Sequence, residues 1–291
     1  MGGRSRLTAD ALKGVLTALI TPFQDGEVDL PTFRALCERQ IDAGISGLVP
    51  CGTTGETPTL SDEEWASLVR AAVEVAHGRV PVIAGCGSNS TAKTVAALRE
   101  AKTLGADAGL VVLPYYNKPT FAGLRQHVLA LSAADLPVVL YHVPGRTAQR
   151  LAPAQLAELC HLPGVIGVKE ATGDVAYGLD LLPMKPGAFL SGDDFTFGPL
   201  MCFGAQGVIS VLSNVAPALT VEFAEACASG DLAVARALND QLYPLTQYLF
   251  REVNPVPVKA AMAAMGLCNN ELRLPMYPGA PPDPALLQGL G

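Results

Sequence analysis

A lysine inside an apolar run is the residue of this sequence with the clearest chemical potential. Lys169 lies in the run Val-Ile-Gly-Val-Lys-Glu-Ala-Thr, which is short, β-branched and flanked by glycines, as is typical of a buried parallel strand. Because strand side chains alternate, we expect Gly167 and Ala171 to share the face of Lys169, and Ile166 and Val168 to point the other way. Burial disfavours the charged ammonium and so favours an amine nucleophile. The alternative is a structural lysine paired with a carboxylate, or one exposed at a strand end.

The preceding strand-like run ends in Tyr-His-Val-Pro-Gly-Arg, residues 141–146. Adjacent strands lie about 4.8 Å apart, so Tyr141 can reach Lys169, and a phenol beside an amine can exchange the protons of imine chemistry. The planar guanidinium of Arg146 suits a substrate carboxylate. The alternatives are a packing tyrosine and a surface ion pair. His142 alternates away from Tyr141, and we expect a buried histidine whose hydrogen bonds are satisfied.

A loop of small and hydroxylated residues, Cys-Gly-Thr-Thr-Gly-Glu at 51–56, follows another strand-like run. Its glycines let backbone amides and the hydroxyls of Thr53 and Thr54 approach a small ligand, as a carboxylate would require. The alternative is an ordinary strand-to-helix turn. Taken together with the tyrosine and the arginine, this loop favours the interpretation of Lys169 as a Schiff-base former.

The elements that must position these residues are eight strand-like runs separated by helix-like segments. Eight such units predict an α/β protein, a (β/α)8 TIM barrel, whose chemistry lies at the carboxyl ends of the strands. We predict a barrel domain over residues 1–229 and a C-terminal helical extension over 230–291, with its helix broken by the prolines at 254–257. The runs are 14–23, 47–54, 80–86, 109–116, 136–144, 165–172, 188–194 and 207–214.

Composition excludes several classes of partner. The net charge is −7 and no basic block occurs, which argues against nucleic acid and anionic membranes. No apolar run approaches the roughly 18 residues of a membrane span, and the N-terminus lacks an apolar signal core, so we expect a cytoplasmic protein. The seven cysteines lack CxxC spacing, as in a reducing compartment. Four histidines without ligand spacing and the absence of a GxGxxG or P-loop pattern lead us to expect no metal and no cofactor.

Six motifs in order resemble the dihydrodipicolinate synthase family, of the class I pyruvate-dependent aldolase group that also holds N-acetylneuraminate lyase. The resemblance runs from about residue 14 to beyond residue 259. The motifs are Gly-Thr-Thr-Gly-Glu at 52–56, Tyr-His-Val-Pro-Gly-Arg at 141–146, Gly-Val-Lys-Glu-Ala-Thr at 167–172, Ser-Gly-Asp-Asp at 191–194, Gly-Val-Ile-Ser at 207–210 and Asn-Pro-Val-Pro-Val-Lys at 254–259.

The resemblance implies 4-hydroxy-tetrahydrodipicolinate synthase activity, in diaminopimelate and lysine biosynthesis. Pyruvate would form an imine with Lys169, and the derived enamine would attack L-aspartate-4-semialdehyde. Tyr141 would act as acid and base at the imine, Thr53 would relay its proton, and Tyr116 would complete the relay from the neighbouring subunit. The family is typically a homotetramer, a dimer of dimers.

The resemblance also implies the substrate-binding residues. Thr54 would hold the pyruvate carboxylate, Ile209 would line the pyruvate pocket through its backbone, and Arg146 would bind the semialdehyde carboxylate. Lyases for sialic acid or 2-oxo-3-deoxy sugar acids generally lack this arginine, and an N-acetylneuraminate or sugar acid aldolase is therefore the first alternative. A catalytically silent barrel used for small-molecule sensing is the second. His142 departs from the asparagine usual in this motif, and we expect little effect.

Feedback inhibition is a further property on which the resemblance bears. Lysine-inhibited relatives hold the amino acid at the dimer interface with the help of a histidine and a glutamate. This sequence keeps Asn89 and Tyr115 at matching positions but has Trp65 and Lys93 in place of those two residues. A cation in place of an anion repels a positively charged ligand. We therefore expect weak or absent inhibition by L-lysine.

Overall fold

Eight parallel strands form a closed barrel in the computed structural model, which describes residues 6–290. Their order is β2-β1-β8-β7-β6-β5-β4-β3, and a parallel bridge between Leu48 and Val82 closes the ring between β2 and β3. The predicted (β/α)8 TIM barrel is confirmed. The strands are β1 Gly14–Ala18, β2 Gly47–Val49, β3 Ile83–Gly85, β4 Ala108–Val112, β5 Val138–His142, β6 Val165–Glu170, β7 Ala188–Ser191 and β8 Gly207–Ser210.

Helices surround the barrel, and six of the eleven within residues 6–290 begin after a Ser, Thr or Asp whose side chain accepts a hydrogen bond from the first turn. A capping box starts α2, where the side chains of Ser61 and Glu64 each accept a hydrogen bond from the other residue's backbone N–H. The helices are α1 Leu30–Asp42, α2 Asp62–Ala76, α3 Thr91–Leu104, α4 Phe121–Leu131, α5 Pro144–Thr147, α6 Pro153–Cys160, α7 Val175–Leu181, α8 Phe197–Cys202, α9 Pro217–Ser229, α10 Leu232–Leu249 and α11 Val256–Ala264. A small antiparallel hairpin pairs Phe23–Gln24 with Glu27–Val28.

The apolar core forms two layers because successive strand residues face opposite sides of the sheet. An inner cluster fills the barrel and includes Leu16, Leu190 and Ile209. An outer cluster lies between strands and helices and includes Val168 and Phe189. Each fully buried Leu or Phe side chain stabilises the fold by about 1.5–3 kcal/mol. The two layers together hold the strand ends in place.

The predicted orientation of Ile166 is wrong. It packs against the inner cluster, whereas Val168 lies in the outer one as expected. The cause is an irregularity at the start of β6: Val138 pairs with Val165 and the next residue, Val139, pairs with Gly167, which leaves Ile166 as an extra residue. Such a bulge shifts the alternation by one residue. Beyond it, regular pairing returns before Lys169.

The C-terminal segment packs onto the barrel rather than standing apart from it. α10 lies against α9, and the predicted break falls between the end of α10 at Leu249 and the start of α11 at Val256. α11 is largely buried, and later residues contact the hairpin, where Glu271 accepts a hydrogen bond from the Gly26 N–H. The division into domains at residue 229 stays a prediction, and its outermost residues, 1–5 and 291, lie outside the described part of the chain. Over that described part, no helix combines the length and apolar character that a bilayer crossing needs.

Candidate active site

A cavity of about 380 Å³ opens at the carboxyl ends of the strands. That volume lies within the range of small-molecule sites. Thr53, Tyr141 and Arg146 line it, as the sequence predicts for residues that meet at this end of a barrel. Its other walls come from the loop after β2, from β3 and β4 with the loops that follow them, and from the C-terminal segment, namely Cys51, Gly52, Glu56, Thr57, Pro58, Thr59, Gly85, Gly87, Leu110, Val112, Tyr115, Asn254, Pro255, Pro275 and Met276.

Lys169 and Tyr141 face each other inside the barrel. They are paired across β5 and β6, and the Lys169 Nζ atom lies 4.4 Å from the centroid of the Tyr141 ring. Both are nearly inaccessible, with 5% and 7% of their surface exposed. Tyr141 also lines the cavity. The alternative of a solvent-exposed lysine at a strand end is therefore excluded, and the pair has the geometry in which a phenol can exchange protons with a group on the amine.

Gly192, just after β7, makes room for the lysine. A Cβ atom built there would lie 2.8 Å from Lys169 Cε and 2.9 Å from its Cγ, so any larger residue would displace the side chain. The next residue is Asp193, whose pKa is raised by burial, while the nearby Lys169 ammonium opposes that shift. Gly192 belongs to the Ser-Gly-Asp-Asp motif at 191–194, from which no role for this glycine was predicted. The sequence does contain a signal for this role: a glycine directly follows β7, the strand adjacent to the one that carries Lys169.

The threonine loop after β2 is held by its own backbone and by the C-terminal segment. The Gly55 N–H donates to the Gly52 carbonyl and the Glu56 N–H to the Thr53 carbonyl. Thr53 is half-buried at the cavity wall, whereas Thr54 is 2% exposed and its hydroxyl accepts a 2.9 Å hydrogen bond from Asn254 Nδ2. The loop thus presents Thr53 to the cavity and fixes Thr54 behind it.

Arg146 lies on α5, the single helical turn after β5, at the outer wall of the cavity. Its side chain is exposed, and Nη2 donates a 3.2 Å hydrogen bond to the Asn254 carbonyl. Among residues 6–290 no carboxylate lies within 4.0 Å of its guanidinium. The alternative interpretation, a surface ion pair, is therefore excluded for these residues. The guanidinium keeps donors for an anion that enters the cavity.

Four predicted site residues are not among those that line the cavity, namely Lys169, Thr54, Ile209 and Tyr116. Lys169 and Thr54 each contact a residue that does, Tyr141 and Asn254 respectively. Ile209 is 1% exposed and packs in the inner cluster of the barrel. Tyr116 is 89% exposed in the loop after β4, with a left-handed backbone (φ +72°). Within one chain, therefore, the structure brings together Lys169, Tyr141 and the Thr53 loop, and leaves the Tyr116 phenol on the surface.

A protein-family model matches nearly the whole chain. The model of the dihydrodipicolinate synthetase family matches residues 11–281. The chain belongs to this family. It is 48% identical over 282 residues to the 4-hydroxy-tetrahydrodipicolinate synthase of Nitratidesulfovibrio vulgaris (strain Miyazaki F), covering 96% of this chain and 97% of that protein.

Solved structures of dihydrodipicolinate synthases superpose closely on the chain. The chloride-inhibited enzyme of Acinetobacter baumannii complexed with pyruvate gives a TM-score of 0.90 at 43% identity, covering 92% of this chain and 94% of that one. A variant described as the first monomeric dihydrodipicolinate synthase also gives 0.90, at 42% identity, covering 94% and 93% of the two chains. The family's barrel and site region are therefore present here over nearly the full length.

The predicted hydrogen bonding of His142 is wrong. It is fully buried, as expected, but neither ring nitrogen has a hydrogen-bond partner among the described residues. Burial lowers the pKa of His142 to about 4, with the Arg150 charge acting in the same direction. The imidazole is therefore neutral near pH 7. Its neighbour across the strands is Glu170, whose pKa is raised by burial.

The C-terminal segment supplies walls of the family site that sequence reasoning missed. Asn254, Pro255, Pro275 and Met276 line the cavity. Asn254 contacts both Thr54 and Arg146, and so links the two sides of the opening. The signal was available in the Asn-Pro-Val-Pro-Val-Lys motif at 254–259, which lies far along the chain from any strand. Within residues 6–290 no three His, Cys, Asp or Glu side chains are grouped as a metal site would require.

Proposed function

We propose that the chain is a 4-hydroxy-tetrahydrodipicolinate synthase, a Schiff-base-forming lyase that condenses pyruvate with L-aspartate-4-semialdehyde. The observation that carries this proposal is the buried Lys169 amine facing the Tyr141 ring inside a barrel of this family. A relative of 43% identity is known in complex with pyruvate, which supports pyruvate as the first substrate.

The chemistry follows from an amine and a phenol in contact. The Lys169 amine attacks the keto carbon of pyruvate, and the resulting carbinolamine loses water as Tyr141 protonates the leaving hydroxyl. Loss of a proton from the methyl carbon gives an enamine, whose carbon bonds to the aldehyde carbon of the second substrate. Thr53 relays the Tyr141 proton at the cavity wall. Tyr116 completes the relay from a neighbouring subunit, which accounts for a phenol that is 89% exposed in one chain.

Binding is assigned to the residues around this pair. Thr54 and the amides of its loop hold the pyruvate carboxylate, and Ile209 lines the pyruvate pocket through its backbone. Arg146 binds the semialdehyde carboxylate through its planar fork, because it lines the opening and has no carboxylate partner in the described part of the chain. A sugar acid would need hydroxyl-binding groups in that position instead of a guanidinium.

Assembly and location complete the proposal. A dimer is the smallest assembly in which Tyr116 of one subunit can reach the active site of another. We assign the chain a homotetramer made of two such dimers. A monomeric variant exists among the relatives. The cysteines of the chain are all free thiols, six of them buried or half-buried, which supports a reducing, cytoplasmic compartment.

A coupled assay tests the function directly. Pyruvate with L-aspartate-4-semialdehyde should give turnover, and N-acetylneuraminate should not be cleaved at a comparable rate. Turnover of N-acetylneuraminate or of a 2-oxo-3-deoxy sugar acid, with none of the semialdehyde, would establish the aldolase alternative. Absence of any borohydride-trapped pyruvate adduct would instead establish the silent barrel.

L-Lysine is expected to inhibit this enzyme weakly or not at all. Trp65 is packed against the core with its indole N–H bonded to the Gly85 carbonyl, and Lys93 is exposed in the first turn of α3. The Lys93 cation repels a ligand with an ammonium group, by about 1 kcal/mol at 4 Å in water and more where water is excluded. Initial rates should be titrated with L-lysine at pyruvate near its KM. Full inhibition below about 1 mM would contradict this expectation.

A further inference from the structure

A buried ion pair ties the C-terminal segment to the threonine loop. Lys259 on α11 donates from Nζ to Glu56 Oε1 at 2.6 Å, and their side chains are 0% and 2% exposed. The two residues lie 203 positions apart in the chain. Charged groups are almost never buried this completely unless they are paired. The pair is therefore a fixed connection between two distant parts of the sequence.

The remaining carboxylate oxygen of Glu56 is also held from the C-terminal side. Oε2 accepts a 3.1 Å hydrogen bond from the Arg273 backbone N–H. The Arg273 side chain in turn forms an ion pair with Glu64 on α2. The charged groups of Lys259 and Arg273 both lie over the Phe23 ring, at 4.2 and 4.5 Å from its centroid. Both oxygens of Glu56 thus depend on residues beyond position 255, and the carboxylate has little freedom to move.

Glu56 also belongs to the backbone turn that sets Thr53. Its N–H donates to the Thr53 carbonyl, and its own backbone is left-handed (φ +55°), which is uncommon for a residue other than glycine. A change in the position of the Glu56 carboxylate is therefore transmitted over three residues to the hydroxyl at the cavity wall. Burial lowers the pKa of Lys259 and the attraction of Glu56 opposes that shift, so each charge depends on the other.

We propose that Lys259 is a positioning residue of the active site: through Glu56 it fixes the loop that presents Thr53 and Thr54. This inference rests on the proposed roles of those threonines. Although Glu56 is one of the residues that line the cavity, the side chains of the pair are 0% and 2% exposed and bond to each other, so we assign the pair a role in holding the loop. The expected effect is on the rate of reaction. Where proton transfer depends on the Thr53 hydroxyl, a displacement of the loop by about 1 Å lowers the rate roughly a hundredfold.

The test compares Lys259→Met, Glu56→Gln and the double variant, with Lys102→Met as a matched control. Lys102 pairs with Asp135 at 2.5 Å, but the two side chains are 48% and 69% exposed. The turnover rate of each variant is divided by the fraction of its active sites that are labelled by pyruvate and borohydride. This normalisation removes the contribution of unfolded protein. We expect each single variant to lose 10- to 100-fold per trapped site, the double variant to lose less than either, and K102M to match the parent chain.

The double variant separates coupling from simple damage. A single substitution leaves one buried charge without its partner, whereas the double substitution removes both. Should K259M not fold, E56Q and the double variant decide in the same way. Parent-like turnover per trapped site in the singles, or losses that add in the double variant, would overturn the proposal.

Trp65 provides a readout that does not depend on the reaction. It is the single tryptophan of the chain. Its backbone carbonyl accepts a hydrogen bond from the thiol of Cys51, at the start of the threonine loop. Its emission should shift in K259M and E56Q but not in K102M. If the parent chain traps no pyruvate, the proposed function fails, while an emission shift confined to the buried-pair variants still shows the loop to be held by Lys259. Unchanged emission in those variants would refute that role.

Discussion

Lys169→Ala is expected to abolish condensation and the pyruvate-dependent covalent label together. The amine provides the covalent attachment on which every later step depends, and the nearest phenol, Tyr141, cannot replace it as an imine former. We expect turnover to fall by at least about three decades, as when a nucleophile is removed from an enzyme of this kind. The fold should persist, because the substitution removes a side chain that packs against Gly192 without breaking an ion pair.

Borohydride reduction in the presence of pyruvate, followed by mass spectrometry of peptides, measures this result. The parent chain should gain one adduct, on the peptide that contains Lys169. Lys13→Ala, a substitution of an exposed lysine, should leave the label intact. A label that persists in Lys169→Ala, or one found on another lysine, would refute the assignment of the Schiff base.

Arg146→Ala is expected to weaken use of the semialdehyde while pyruvate imine formation survives. The guanidinium lines the outer wall of the cavity, away from the Lys169 and Tyr141 pair inside the barrel. Losing a charge-assisted pair to a carboxylate costs about 1.5–3 kcal/mol, or roughly one to two decades in kcat/KM for that substrate. Arg146 is exposed and solvent screens its charge, so we expect a loss of about one decade.

The measurement is a pair of kinetic series, each with one substrate varied at saturation of the other. Arg146→Lys is the matched variant: it keeps the charge but not the planar fork, and it should recover only part of the loss. Pyruvate trapping with borohydride should equal that of the parent chain in both variants. Equal losses in kcat/KM for pyruvate and semialdehyde would show that Arg146 acts through its bond to the Asn254 carbonyl as a structural residue.

Local pattern was enough to predict the strands and the meeting of the catalytic pair. A β-branched run between glycines forms a buried strand in most contexts, and eight such runs with helices between them close in only one common way. Once the barrel is given, strand spacing alone places Tyr141 beside Lys169. The orientation of Lys169 also followed from alternation, although the bulge at Ile166 reversed that residue's own side.

Residues whose partners are distant in the chain could not be predicted in this way. Glu56 and Lys259 are ordinary charged residues in sequence, and only the packing of α11 onto the barrel buries both and forces them to pair. The ring nitrogens of His142 were expected to form hydrogen bonds, but they have no partner among the described residues. Whether a buried ring forms hydrogen bonds depends on which side chains the helices place opposite it.

The sequence by itself determined the barrel, the lysine and tyrosine pair and the family to which the chain belongs, because periodicity and short motifs are local properties. Only the tertiary structure decided that the C-terminal segment forms a wall of the cavity and holds the threonine loop. The physical reason is that burial and electrostatic pairing depend on three-dimensional proximity, and proximity between residues some 200 positions apart is a property of the whole packed fold.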